Sequence, residues 1–129
     1  MRQQTRNQGF TLIELLVVVA IIGILSAIGV VSYGKYKTSA EKKQAEISLN
    51  SIYLAEQEYK SNNGEYYYNT STSNIVTNLF DGVDDLNEQA YSFKTTNANT
   101  LSIIATNEKN SSCTITITEK NKKADRKGC

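Results

Sequence analysis

The chain contains no histidine, no tryptophan and no proline among its 129 residues, and only two cysteines. Without histidine it lacks the commonest general base and the commonest metal ligand. No G-x-S-x-G elbow, no Gly-rich phosphate loop and no C-x-x-C pair is present. An enzyme, a resident metal and a bound cofactor are therefore not expected, and no catalytic residue is assigned. A net charge of +1 removes the strongly basic footprint of a nucleic-acid-binding domain. The length suits one domain with an appendage.

Apolar residues are spread very unevenly. Between Phe10 and Val31 the only side chains that are not apolar are Thr11, Glu14 and Ser26, with Gly23 and Gly29 interspersed. A bilayer core is spanned by about 20 apolar residues of helix, so this run is long enough. After Tyr36 nothing comparable occurs, and the chain is rich in Asn, Ser, Thr, Lys and Tyr. One end reads as a membrane element and the other as a water-exposed one. Arg2 and Arg6 precede the run with no acid among them, which keeps the first residues on the cytoplasmic side. No small-residue cleavage site follows Val31. The run is therefore expected to stay in the mature protein.

Glu14 breaks the pattern. A carboxylate inside an apolar span costs roughly 2.5–3.5 kcal/mol on insertion scales. It either stays protonated near the interface or needs a cationic partner. No Lys or Arg lies nearby in the span. A free amine made by cutting just before Phe10 would supply one.

Gly9-Phe10-Thr11-Leu12-Ile13-Glu14-Leu15, with the apolar run continuing through Gly23 to Leu25, closely resembles the N-terminus of type IV prepilins and type II secretion pseudopilins. These are the pilins with class III signal peptides. The resemblance covers about the first quarter of the chain. It implies that a membrane-embedded prepilin peptidase cuts after Gly9 and methylates the amine of Phe10. It also implies that Glu14, with Thr11 beside it, serves assembly by pairing with the N-terminal amine of a neighbouring subunit. Many major pilins carry a helix-breaking proline at the position of Val31, and their first helix melts between there and the glycine matching Gly23. This chain has no proline, and a weaker or shorter melted stretch is expected.

From Ser32 to about Asn62 the helical pattern continues. Ala45, Leu49, Ile52 and Tyr59 form one apolar stripe, and Lys42, Lys43, Glu46, Asn50 and Lys60 lie opposite. Gly64 is placed to end the helix. Residues 63–89 read as irregular, with short helical pieces near 74–80 and 84–88. Tyr91–Thr96, 101–106 and 113–118 then read as strands. In the last, Cys113, Ile115 and Ile117 alternate with Thr114, Thr116 and Thr118. Turn-like connections suggest an antiparallel meander that buries the helix stripe. The expected fold is α+β: a long N-terminal helix, membrane-spanning in its first half, packed on a small antiparallel sheet as in pilin heads. Residues 1–9 would be the leader, 10–31 the transmembrane and filament-core helix, and 32–129 a periplasmic or extracellular head.

Cys113 and Cys129 are the only cysteines. Pairing is the default in a translocated chain and is similar to the C-terminal disulfide loop of many pilins; two free thiols are the alternative. Tyr66, Tyr67 and Tyr68 read first as packing residues, with adhesion or electron transfer as the lesser reading. Asp81, Asp84, Asp85 and Glu88 read as a solvated loop ahead of a calcium site, because the spacing is no EF-hand. Lys109, Lys120, Lys122, Lys123, Arg126 and Lys127 read as a solvated basic face ahead of a nucleic-acid contact.

The resemblance implies a structural subunit that polymerises with other pilin subunits. Its partners would be the prepilin peptidase and methyltransferase, the inner-membrane assembly platform and the membrane itself, with nucleic acid only as a filament ligand. It would sit in the inner membrane as precursor and then in a surface pilus used for adhesion, twitching motility or DNA uptake. A pseudopilin in a periplasmic type II secretion pseudopilus and a minor priming or tip pilin are the alternatives within the family. A monomeric anchored binding domain is the alternative outside it, and it leaves Gly9, Phe10 and Glu14 unexplained. The missing proline yields a prediction: in a filament of this chain, density for residues 23–31 should stay more helical than in proline-containing relatives. A map with the same unwound stretch would refute it.

Overall fold

A computed structural model describes residues 9–83, 85–96 and 99–129. Residues 1–8, with Arg2 and Arg6, lie outside these, as do Asp84, Asn97 and Ala98. The chain divides into two compact units, one ending at Thr38 and the other spanning Ser39–Cys129. Helix α1 (Leu12–Asn63) contributes to both.

In the first unit α1 is helical through Gly23 and Gly29. Every residue there is exposed, including Leu12, Leu15, Ile21, Leu25 and Val31. With no proline to remove a hydrogen bond, nothing in the sequence forces a break. The segment is long and apolar enough to cross a membrane.

In the second unit α1 buries Ala45, Ser48, Leu49, Ile52 and Glu56. This is the expected stripe with two additions and one retreat: Ser48 and Glu56 are polar yet buried, and Tyr59 is only half-buried. The helix ends where it should. Gly64 adopts φ 85°, and its N–H donates to the Lys60 carbonyl at 2.7 Å, the left-handed C-terminal cap that glycine takes without steric cost.

Four strands form an antiparallel sheet in sequence order: β1 (Tyr91–Thr96), β2 (Ser102–Asn107), β3 (Thr114–Thr118) and β4 (Asp125–Lys127). Phe93 faces Ala105 across β1–β2, and Ala105 faces Ile115 across β2–β3. Their period-two alternation puts Tyr91, Phe93, Ile103, Ile115 and Ile117 on one buried face. Those residues share a core with Leu49 and Ile52 of α1, with Ile75 and Val76 of α2 (Thr72–Leu79), and with Leu86 of a short 3-10 turn (Asp85–Glu88).

Two details depart from the sequence reading. The fourth strand was not expected, because Asp125-Arg126-Lys127 is fully exposed and has no apolar alternation. The residues assigned to the far side of the helix are also not all free. Glu46 meets Arg126, and Lys60 lies 3.8 Å from Glu119. The exposed face of this half of α1 carries Lys43 and Asn50, as expected, and also Ile47 and Leu54.

The outer edge of β1 is covered rather than open. The Thr72 hydroxyl accepts from the Phe93 N–H (2.8 Å) and donates to its carbonyl (3.2 Å). The Thr95 N–H donates to the Asn69 carbonyl at 2.8 Å. Covering an edge in this way protects unpaired backbone groups from pairing with another chain.

Leu49 is fully buried and Leu54 is exposed on the same helix. Leu49→Ala should cost about 2–5 kcal/mol, while Leu54→Ala should stay within about 0.5 kcal/mol. Denaturant unfolding of the chain in detergent, read by near-UV signal, checks the contrast, and equal effects would contradict the assigned core.

Candidate functional site

The residues singled out near the N-terminus meet at the start of α1. Gly9 and Phe10 precede the helix in exposed, non-helical backbone, and Phe10 is 95% exposed. Thr11 comes next and caps the helix. Its hydroxyl accepts from the Glu14 N–H at 3.3 Å. In return a Glu14 carboxylate oxygen accepts from the Thr11 N–H at 2.9 Å. The Thr11 carbonyl takes the first helical bond, from the Leu15 N–H, at 3.3 Å.

This is a reciprocal capping box. It satisfies two backbone donors that a helix start leaves bare. It also places a negative group in the first turn, where the helix dipole favours it. The pattern Thr-x-x-Glu followed by an apolar run was present in the sequence, and it carries this reading of Thr11. Among the described residues no Lys or Arg forms an ion pair with Glu14. The carboxylate is thus held locally, on the N–H of the residue that follows Phe10, at the start of a predominantly apolar stretch.

The cysteines form the second expected constellation. Cys113 and Cys129 are disulfide-bonded, with Cα atoms 4.6 Å apart and a sequence separation of 16. Cys113 is buried, and its sulfur lies 3.3 Å from the Tyr91 hydroxyl. The chain can close here because Gly128 has φ 67°, and a Cβ at that position would run into the Ser112 carbonyl.

The loop within the disulfide is also tied to the helix. Arg126 Nε donates to Glu46 at 2.7 Å, and Lys42 donates to the Cys129 carbonyl oxygen at 3.0 Å. Burial alone would push the Glu46 carboxyl up, but hydrogen bonds and charge from Arg126 and Lys43 hold it below the usual value.

The remaining candidates stay apart. Tyr66 is buried and donates to Glu119 at 3.0 Å, Tyr67 is half-buried against Tyr59, and Tyr68 is exposed. Asp81 and Glu88 are exposed, and no metal-holding cluster occurs among the described residues. Of the basic residues, Arg126 is committed to Glu46 and Lys122 lies 5.8 Å over the Tyr53 ring. Lys109, Lys120, Lys123 and Lys127 are exposed.

Residues 4–30 match the family model of the prokaryotic N-terminal methylation motif. This stretch contains Gly9, Phe10, Thr11 and Glu14. The first quarter of the chain thus carries the N-terminal motif, and the relatives it resembles are type IV major pilins and fimbrial proteins. The chain is 42% identical over 65 residues to a type IV major pilin protein PilA of Myxococcus xanthus, covering 50% of this chain and 30% of that one. It is 37% identical over 73 residues to a fimbrial protein of Neisseria meningitidis serogroup B, covering 57% and 43%. It is 34% identical over 73 residues to a type IV major pilin protein PilE1 of Neisseria gonorrhoeae, covering 57% and 44%. The chain thus spans less than half the length of these relatives. No solved structure matches it.

The capping box predicts a local effect. Thr11→Val removes the hydroxyl but keeps the side-chain shape, which should cost the first turn about 0.5–2 kcal/mol. Amide exchange at residues 12–15 in detergent micelles should accelerate, while Thr11→Ser should leave it near wild type. Unchanged exchange in the valine variant would rule out the cap.

Proposed function

We propose that the chain is a structural subunit of a type IV pilus, cut after Gly9, N-methylated at Phe10 and polymerised through the helix of residues 10–31. The observation that carries this reading is the junction at Gly9 and Phe10. It lies in exposed, non-helical backbone immediately before the cap formed by Thr11 and Glu14. A peptidase needs an extended and unhindered bond, which this position offers. Cleavage would leave a cationic amine on Phe10, and methylation would keep its charge.

Polymerisation follows from the same helix. A fully exposed apolar stretch of this length exceeds what a soluble monomer leaves bare. Lipid covers it in the precursor, and the equivalent helices of other subunits cover it in a fibre. Lost lipid contact is then replaced by contact between helices. Inside such a core Glu14 is costly unless paired, so the amine of a neighbouring Phe10 would fix the axial register. The peptidase with its methyltransferase activity and the inner-membrane assembly platform would be the partners. Adhesion, twitching motility or DNA uptake would be the use of the surface fibre. The disulfide-closed loop favours this reading over a type II secretion pseudopilin, since major pseudopilins usually lack it.

Mass spectrometry of material sheared from cells tests the proposal. The expected result is a filament fraction dominated by a chain starting at N-methylated Phe10 and lighter by two hydrogens for the disulfide. The same chain found only in membrane or periplasm would point to a pseudopilin or minor subunit. A working form that retains Met1 would overturn cleavage altogether.

A further inference from the structure

Glu56 lies on the buried stripe of α1 and is completely shielded from solvent. A carboxylate there is expensive, because desolvation penalises the charged form. One oxygen accepts from the Tyr67 N–H at 2.8 Å. Among the described residues the other has no hydrogen-bond partner.

Tyr67 is held from both sides. Its N–H goes to Glu56, and its carbonyl accepts from the hydroxyl of Thr95, which is itself buried, at 2.9 Å. The same hydroxyl accepts from the Asn69 N–H at 2.9 Å. These bonds fix the segment after Gly64 between the helix and the edge of β1. The geometry points to a pH-sensitive clasp: Glu56 holds the segment of residues 64–71 closed while its carboxyl is protonated, and lets it lift when the carboxyl ionises.

Among the described residues no cation forms an ion pair with Glu56. On α1 the nearby titratable groups are Tyr53, Tyr59 and Lys60; on the segment they are Glu65, Tyr66, Tyr67 and Tyr68. On β1 there are Tyr91 and Lys94, and beyond β3 there is Glu119, while α2, β2 and β3 carry no titratable side chain. Lys60 is committed elsewhere, 3.8 Å from Glu119 and 4.2 Å over the Tyr66 ring. The Tyr66 hydroxyl donates to Glu119, and the Tyr67 hydroxyl accepts from Asn69 and Asn78.

Burial raises the Glu56 carboxyl from 4.5 to about 7, against the smaller pull of the Tyr67 N–H. The closed form therefore keeps a proton that the open form gives up. Closure is favoured in full below pH 4.5, weakens as pH rises, and reaches its floor above about 7. The clasp rests on the head's own contacts and stands whether or not the chain polymerises.

Hydrogen exchange of the full chain in detergent, corrected for the intrinsic pH dependence of exchange, tests it. Opening at the amides of Tyr67 and Asn69 should rise by up to about tenfold per pH unit between pH 5 and 7 and then level off. Amides in the centre of β2 and β3 should show no such step. Glu56→Gln keeps an acceptor for the Tyr67 N–H and removes the ionisation, so its profile should be flat. A flat wild-type profile would overturn the clasp, and so would the same step surviving in the glutamine variant. If that variant does not fold, the contrast within wild type between the segment and the central strands still decides.

Discussion

From Leu12 to Val31 the helix is apolar on every side except at Thr11's partner Glu14 and at Ser26, and every residue of it is exposed. Water is a poor solvent for such a surface, since each large side chain left bare forgoes roughly 1.5–3 kcal/mol of burial. The stretch must be covered by something outside the head. That requirement governs how the rest of the chain is composed. A head joined to such a helix has to be soluble beside it, so its own apolar residues are spent inward, on Leu49, Ile52, Phe93, Ile103, Ile115 and Ile117. Its surface is left to Asn, Thr, Ser and Lys.

The small head then needs reinforcement. It has few elements, and β4 is three exposed residues that contribute nothing apolar. What keeps β4 on the sheet is covalent and ionic. The Cys113–Cys129 bond closes a short loop around it, worth about 3 kcal/mol on the chain-entropy model. Arg126 reaches across to Glu46, and that carboxylate is only partly exposed, so the pair is worth more than an ordinary surface contact. The other edge is handled by hydrogen bonds alone, through Thr72 and Thr95. The disulfide holds one edge at any pH, while the other depends partly on a carboxyl group.

How much of this was legible in the sequence follows from the range of each interaction. Tyr91–Thr96 was placed to the residue, because a strand with one buried face alternates within itself. The helix end at Gly64 was legible because the left-handed cap is a property of one residue. The stripe at Ala45, Leu49 and Ile52 was legible for the same reason. The fourth strand was not, since its pairing comes from a disulfide and a distant glutamate rather than from its own pattern. Nor were the partners of Glu46 and Lys60. On a helical wheel they fall on the polar side, and only the folded sheet brings Arg126 and Glu119 to them.

Two glutamates on one helix make the same point more sharply. Glu14 and Glu56 each sit where a carboxylate is unfavourable, and each is eased by the backbone N–H of a residue outside the helix. For Glu14 that residue is Thr11, three positions away. The bond closes within one turn, and it can be read from the order of amino acids. For Glu56 it is Tyr67, eleven positions away and past the helix end. The bond exists only after the chain has reversed at Gly64 and been pinned by Thr95. Helical spacing places position 56 on the buried stripe, but residue chemistry argues against burying a carboxylate, the stripe read from the sequence left Glu56 out, and no local rule resolves the conflict. A local contact of this kind forms with the helix itself and lasts as long as the helix does. The non-local one exists only while the segment is docked, so protonation at Glu56 bears on docking of the segment rather than on the helix that carries it.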